Sequence, residues 1–132
     1  MSKVFTKGDA LPKVTYDWGD IGMRLEPIES GCKSMVVMDV VLEPGGMHNF
    51  HKHVDQDEII IVLSGKVVQW VGEENTVLSA GDSAYVPRKT VHGSFNDFSE
   101  KAQIQVVLSP ASGPTGYELV DVADSEPWKS KR

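Results

Sequence analysis

The chain has 132 residues, with 13 Lys or Arg against 19 Asp or Glu, and a formal net charge of −6. This acidic balance argues against nucleic acid or an anionic membrane surface as a partner. Apolar runs such as 59–63 are too short to span a bilayer, and the N-terminal sequence shows no secretory signal. Cys32 is the only cysteine, so the sequence predicts a cytoplasmic protein without a disulfide framework.

Short β-rich segments, separated by Gly, Pro, Asn and Asp, follow one another along the chain. The predicted strands cover residues 34–43, 47–53, 58–63, 66–71, 76–78, 83–86, 91–95, 102–108 and 117–120. Many short strands at this spacing predict an all-β sandwich or barrel. One domain is expected over residues 1–132, with residues 1–20 as an N-terminal arm or edge strand. Residues 121–132 are expected to form a polar C-terminal tail that makes a short turn or helix and then frays.

The predicted strand at 58–63 is apolar at both parities, with Ile59, Ile61 and Leu63 on one side and Ile60 and Val62 on the other. A strand with one solvated face alternates apolar and polar residues, so both faces of this strand are expected to be covered. The barrel interior covers one face. A partner subunit or the N-terminal arm covers the other, and we expect a homodimer.

Three of the four histidines are candidates for a metal site together with one glutamate. His51 and His53 are two residues apart and share a face of their predicted strand. A hairpin through residues 55–57 brings Glu58 back beside them, and His92 begins a strand further along the chain. Three imidazoles and one carboxylate suit a divalent first-row metal, and in an octahedral sphere they leave two positions open. His48 has the opposite parity, which predicts a rim or surface position for it.

Strand parity also suggests which residues line a cavity beside this site. Met47 and Asn49 share the parity of His51, and Ile60 shares that of Glu58. In the strand at 102–108, Gln105 lies on one face and the aliphatic residues lie on the other. If Gln105 faces the barrel interior, it can bind polar groups of a substrate. If the aliphatic face of the strand is the buried one, Gln105 points outward. The candidate lining residues are Met47, Asn49, Ile60 and Gln105.

The spacing of these residues resembles the cupin superfamily. Its first motif reads here Gly-x5-His-x-His-x4-Glu-x6-Gly, over residues 45–65. Its second motif appears at residues 81–96 as Gly-x5-Pro-x-Lys-x2-His-x3-Asn, with Lys89 where the family has Gly. The departure at Lys89 removes no ligand and leaves only the local turn geometry in question. The motif core is thus 45–96, and the resemblance implies a double-stranded β-helix (jelly-roll) cupin barrel around a metal site.

The resemblance implies several functions and does not choose among them. We expect a small metal-dependent enzyme of dioxygenase type that acts on a small-molecule substrate, with lyase and isomerase chemistry as alternatives. The cofactor is expected to be one divalent transition metal per chain (Mn, Fe, Ni or Zn), held by His51, His53, Glu58 and His92. Glu58 is also a candidate catalytic base. The alternatives are a non-catalytic metal-dependent cupin that binds a small molecule or sugar, and a metal-free barrel.

Overall fold

The computed structural model describes residues 3–132 and is built almost entirely of β-strands. The strands are β1 (Lys13–Tyr16), β2 (Gly19–Leu25), β3 (Val36–Leu42), β4 (Met47–Lys52), β5 (Asp57–Ser64), β6 (Lys66–Val71), β7 (Glu74–Ser79), β8 (Ser83–Val86), β9 (His92–Phe95), β10 (Ala102–Ser109) and β11 (Val120–Asp121). A short helix α1 (Pro27–Ser30) follows β2, and single 3-10 turns lie at Gly8–Ala10 and Trp128–Ser130. In the described part of the chain, no helix has the length and apolar character needed to cross a membrane.

The strands form two antiparallel sheets that pack face to face as a jelly-roll. One sheet has six strands in the order β1-β2-β3-β10-β5-β8, and the other has five in the order β11-β4-β9-β6-β7. Strands distant in sequence are neighbours in each sheet, as β10 is to both β3 and β5. The predicted all-β, double-stranded β-helix fold is therefore confirmed.

The core lies between the two sheets and follows the alternation of each strand. In β10, Ile104, Val106 and Leu108 are buried, whereas the residues between them are only half-buried. Facing side chains of β3 and β5 join the same apolar cluster, and β6 contributes Val67 from the other sheet. Because one face of each strand is sequestered, the register fixes which side chains reach the interior.

The outward face of β5 is only partly covered within the single chain. Ile60 and Val62 are buried in the core, but Ile59 is 37% exposed and Leu63 is 44% exposed on the other face. The described part of the N-terminal segment, residues 3–20, does not cover this face. Its buried Leu11 packs over Gly22 of β2, where an added Cβ would lie 2.5 Å from Leu11 Cδ2.

The C-terminal residues are docked, and the expected fraying is therefore wrong. Strand β11 pairs with the end of β4. Beyond it, the Trp128 ring lies 5.3 Å from the Phe50 ring on the outer face of the five-stranded sheet. Arg132 stacks over Phe95, 4.1 Å from the ring centroid, and contacts the Asp97 carboxylate. Aromatic stacking and a charged clamp thus hold a segment whose composition is mostly polar.

The turn that carries Lys89 keeps the geometry that a glycine would adopt. Lys89 has φ +69° and is the only residue other than glycine with positive φ among residues 3–132. Its backbone N–H donates to the His53 carbonyl over 2.7 Å, which ties this turn to the end of β4. The substitution in the motif therefore leaves the turn geometry intact.

Candidate metal centre

Four buried side chains converge inside the barrel. His51 belongs to β4, His53 follows that strand, His92 begins β9 and Glu58 projects from β5 in the opposite sheet. One potential ligand atom from each lies within 4.8 Å of all the others. Glu58 Oε1 lies 3.0 Å from both His53 Nε2 and His92 Nε2. Both sheets are needed to assemble this cluster, which we call the histidine–glutamate site.

Each imidazole of the histidine–glutamate site is oriented by a backbone carbonyl. His51 Nδ1 lies 2.6 Å from Asn49 O, His53 Nδ1 lies 2.7 Å from Glu118 O, and His92 Nδ1 lies 3.1 Å from Thr90 O. A carbonyl oxygen only accepts hydrogen bonds, so each Nδ1 carries the proton. Each Nε2 is left with its lone pair directed into the site, which is the arrangement that metal-binding histidines adopt.

The charges of the site suit a cation. Burial alone would raise the pKa of Glu58, but the charge of His92 and the contacts of His53 and His92 with the carboxylate outweigh it, so that pKa is lowered. Burial holds the pKa of His51 well below its usual value. The pKa of His92 is raised, because the Glu58 carboxylate outweighs the opposing effect of burial. An ionised carboxylate thus shares this buried site with the neutral imidazole of His51.

The donor set fits a divalent metal. His51 Nε2, His92 Nε2 and Glu58 Oε1 are fully buried atoms without a hydrogen-bond partner. Leaving such atoms unpaired inside a protein is costly, and a shared cation satisfies all of them. Three imidazole nitrogens and one carboxylate oxygen are ligands that Mn, Fe, Ni and Zn accept.

His48 lies closer to this site than its parity predicts. The pairing of β4 with β9 shifts register between His48 and His51, so that His48 opposes Ser94 and His51 opposes His92. This β-bulge places both histidines on the inner face, with their rings 4.1 Å apart. The predicted outward parity of His48 is therefore wrong, although the residue is only half-buried and is not among the four converging residues.

The bulge also overturns two of the four expected cavity-lining positions, and the burial of β10 overturns a third. Met47 is 43% exposed and Asn49 is exposed, because the extra residue turns both away from the interior. Gln105 lies on the outer face of β10, where it donates to Asp39, because the aliphatic face of that strand is the buried one. Ile60 is buried and shares the inner face of β5 with Glu58.

An aromatic row leads from the histidine–glutamate site toward a cavity that sequence reasoning did not identify. Ring centroids are 5.0 Å apart for Tyr16 and Trp18, and 6.0 Å apart for Trp18 and His48, which contacts His51. A cavity of about 390 Å³ lies between β1, β2, α1 and the loop before β11, with Tyr16 and Tyr117 in its wall. Its lining includes none of the four converging residues. No local spacing links these aromatics, so only the fold brings them together.

Comparison with known proteins places the chain in a family. The model of the Cupin_2 family, the cupin domain, matches residues 38–108. The chain therefore belongs to the cupin family, as its motifs predict.

Relatives and solved structures agree with this assignment. Uncharacterized protein MJ1618 of Methanocaldococcus jannaschii is 30% identical over 94 residues, covering 70% of this chain and 74% of that protein. Uncharacterized protein YdbB of Bacillus subtilis is 42% identical over 48 residues, which are 36% of this chain and 42% of YdbB. This chain thus aligns with less than half of YdbB.

Two solved structures show the same fold. A double-stranded β-helix protein from Klebsiella pneumoniae has a TM-score of 0.70 at 25% identity, with 92% of this chain and 99% of that chain covered. Oxalate decarboxylase from Bacillus subtilis has a TM-score of 0.74 at 21% identity, covering 86% of this chain and 30% of that one. At such identity the second likeness concerns the fold alone.

Proposed function

We propose that this cupin is a metal-dependent enzyme in which His51, His53, Glu58 and His92 hold one divalent first-row metal. The observation that supports this most directly is the convergence of four buried ligand atoms. The three imidazoles among these ligands carry their proton on Nδ1, which leaves Nε2 free to bind the metal. A metal held there would supply a Lewis acid, and iron would add oxygen chemistry. A small organic substrate with a metal-binding oxygen group is the proposed ligand.

The residues of the chain divide the remaining work. Glu58 serves as a metal ligand, and its further role as a catalytic base stays a prediction. Ile60 and the neighbouring core side chains keep water from the inner wall. Trp18 and His48 flank the approach to His51, and the cavity bordered by Tyr16 suits the apolar part of a substrate.

Metal content of the purified protein tests the ligand assignment. Protein purified without chelator or an affinity nickel column is expected to carry about one equivalent of metal, measured by elemental analysis. Single alanine substitutions at His51, His53, Glu58 or His92 should each lower metal affinity at least about 100-fold, beyond the loss typical of outer-shell partners.

The matched control is His48→Ala, which removes the imidazole beside His51 without removing any of the four converging groups. This variant should keep its metal. A wild-type protein that binds none of Mn, Fe, Ni or Zn contradicts the metalloenzyme proposal, and loss of metal from His48→Ala contradicts the four-residue assignment.

Within this class we propose dioxygenase-type oxidoreductase chemistry. Oxygen uptake by the iron-loaded protein with enolic or phenolic substrates is the direct assay. A metal-loaded protein that binds such compounds but never turns them over contradicts the enzyme proposal and favours a binding protein.

We also propose a homodimer that forms through the outer face of the six-stranded sheet. Ile59, Leu63 and Tyr85 remain exposed there in the single chain. The cytoplasmic location expected from the sequence stays a prediction.

A further inference from the structure

Gln56 is a buried amide that no part of the proposed chemistry uses. It is 2% exposed and lies in the turn between His53 and Glu58. Its Nε2 donates to Pro110 O at 2.8 Å and to Gly116 O at 2.9 Å, and its Oε1 accepts from the Glu118 N–H at 3.3 Å. The carboxamide therefore makes all three of these hydrogen bonds with one segment that is distant in sequence, residues 110–118.

That segment supplies the carbonyl that orients His53. Glu118 O accepts from His53 Nδ1 over 2.7 Å, while the N–H of the same residue is held by Gln56. His53 thus hydrogen-bonds to the backbone carbonyl of Glu118, and Gln56 hydrogen-bonds to the backbone N–H of the same residue. The turn that carries two of the four converging residues is in this way fastened to the C-terminal segment.

His53 differs from the other two histidines in the origin of its carbonyl partner. His51 and His92 use the carbonyl two residues before them, so the adjoining backbone positions it. The partner of His53 is 65 residues away. A local turn cannot hold that carbonyl in place, so the orientation of His53 depends on a long-range tether.

We propose that Gln56 is this tether: a positioning residue that holds the Glu118 carbonyl against His53 Nδ1 and keeps the Nε2 lone pair directed at the metal. The inference rests on the proposed metal function, which gives the orientation of His53 its use. Outer-shell partners of this kind typically change metal affinity about 10- to 100-fold, since they fix both the tautomer and the angle of the ligand.

The test variant is Gln56→Met, which keeps the shape of the side chain and removes its hydrogen bonds. Asn96→Leu is the matched control. Asn96 is also buried, donates to two carbonyls and accepts one N–H, but its partners Leu42, Phe98 and Glu100 lie outside the histidine–glutamate site. Both variants should lose stability through unpaired buried carbonyls. Only Gln56→Met should change the site.

Two measurements separate positioning from stability. The first is the ¹⁵N shift pattern of the His53 ring by NMR in metal-free protein, which reports whether Nδ1 or Nε2 carries the proton. The second is Zn²⁺ affinity by competition with a chromophoric chelator. In Gln56→Met we expect a mixture of His53 tautomers and an affinity weaker by about 10- to 100-fold. Asn96→Leu should match the wild type in both.

Gln56→Asn provides a milder variant if Gln56→Met does not fold. Its stem is one carbon shorter, so it cannot reach both carbonyls, and a smaller change in the same direction is expected. A folded Gln56 variant with wild-type His53 tautomer and Zn²⁺ affinity overturns the inference. If the wild type binds no metal, the proposed function fails, and the tautomer measurement still decides whether Gln56 positions His53.

Discussion

At the scale of single residues, Lys89 bears a backbone strain that glycine avoids. A residue with a Cβ is destabilised by about 1–2 kcal/mol in the left-handed region through steric clash. Glycine avoids this clash but loses more conformational entropy on folding, which destabilises the folded state by about 0.5–1 kcal/mol. Lys89 has φ +69° and its side chain is exposed, so little packing is lost on its removal. We expect Lys89→Gly to raise the free energy of unfolding by about 0.5 kcal/mol, measured by urea denaturation.

Lys89→Ala is the control for this substitution. It removes the same lysine side chain but keeps the Cβ, so it should leave the stability near that of the wild type. Equal stabilisation by both variants would assign the effect to the lysine side chain and contradict the strain argument.

The residue scale is also where sequence reasoning succeeded and failed most clearly. The spacing of His51, His53 and Glu58 correctly predicted that they meet, although the predicted hairpin is wrong: β4 and β5 belong to opposite sheets, and the turn between them crosses from one sheet to the other. The position of His48 was missed, since strict alternation holds only in a regular strand and a bulge lies between His48 and His51. A bulge depends on pairing with β9, and that pairing leaves no mark in the spacing of β4 itself.

At the scale of elements, the C-terminal segment after β11 acts as a clamp on the five-stranded sheet. Trp128 packs on Phe50, and Lys131 pairs with Glu73 at 3.0 Å. Trp128 is half-buried, so its truncation removes roughly half the stabilisation that burial of a complete indole side chain provides. Trp128→Ala should lower the free energy of unfolding by about 2 kcal/mol. Lys129→Ala, one residue away and exposed, should change it little.

Hydrogen exchange adds a local measurement to this prediction. The Val122 N–H donates to the Phe50 carbonyl over 3.1 Å, so its protection reports whether the segment remains docked. Protection at Val122 should fall in Trp128→Ala more than in Lys129→Ala. Unchanged stability and protection would show that the segment is held by β11 alone.

These contacts explain why the polar composition of residues 121–132 led to the wrong prediction of a frayed end. Residues 121–132 are polar apart from a few side chains, and a polar terminus ordinarily stays mobile. The contacts that order it lie on distant strands, at Phe50, Trp70 and Phe95. The predicted strands of the barrel fared better, because their alternation and turn residues are local signals.

At the scale of the whole molecule, the outer face of the six-stranded sheet has two parts. Near β2 and β3, the Arg24 guanidinium pairs with the Asp39 carboxylate, and Gln105 also donates to Asp39. These bonds outweigh the effect of burial and lower the pKa of Asp39. Charge on this part of the face is thus compensated within the chain.

The other part of that face carries partly exposed apolar side chains, with Gln105 and Ser83 on either side of Ile61. Val107, Ile59 and Tyr85 lie side by side on β10, β5 and β8, and Ile61 and Leu63 continue the patch along β5. A contiguous apolar patch of this kind typically marks an interface. A two-fold arrangement would place β5 of one subunit against the same patch of the other.

A charge placed in the centre of this patch should therefore separate the subunits. Ile61 is half-buried in the single chain and points outward from β5, so Ile61→Lys leaves the core intact while it puts an ammonium group on each side of the proposed interface. We expect the wild type to sediment as a dimer and Ile61→Lys as a folded monomer in analytical ultracentrifugation. Ile28→Lys is the control, because Ile28 is 72% exposed on α1, away from the patch. It should remain dimeric.

A wild type that stays monomeric at high micromolar concentration contradicts the dimer, and the apolar side chains of β5 would then need another partner to account for their position.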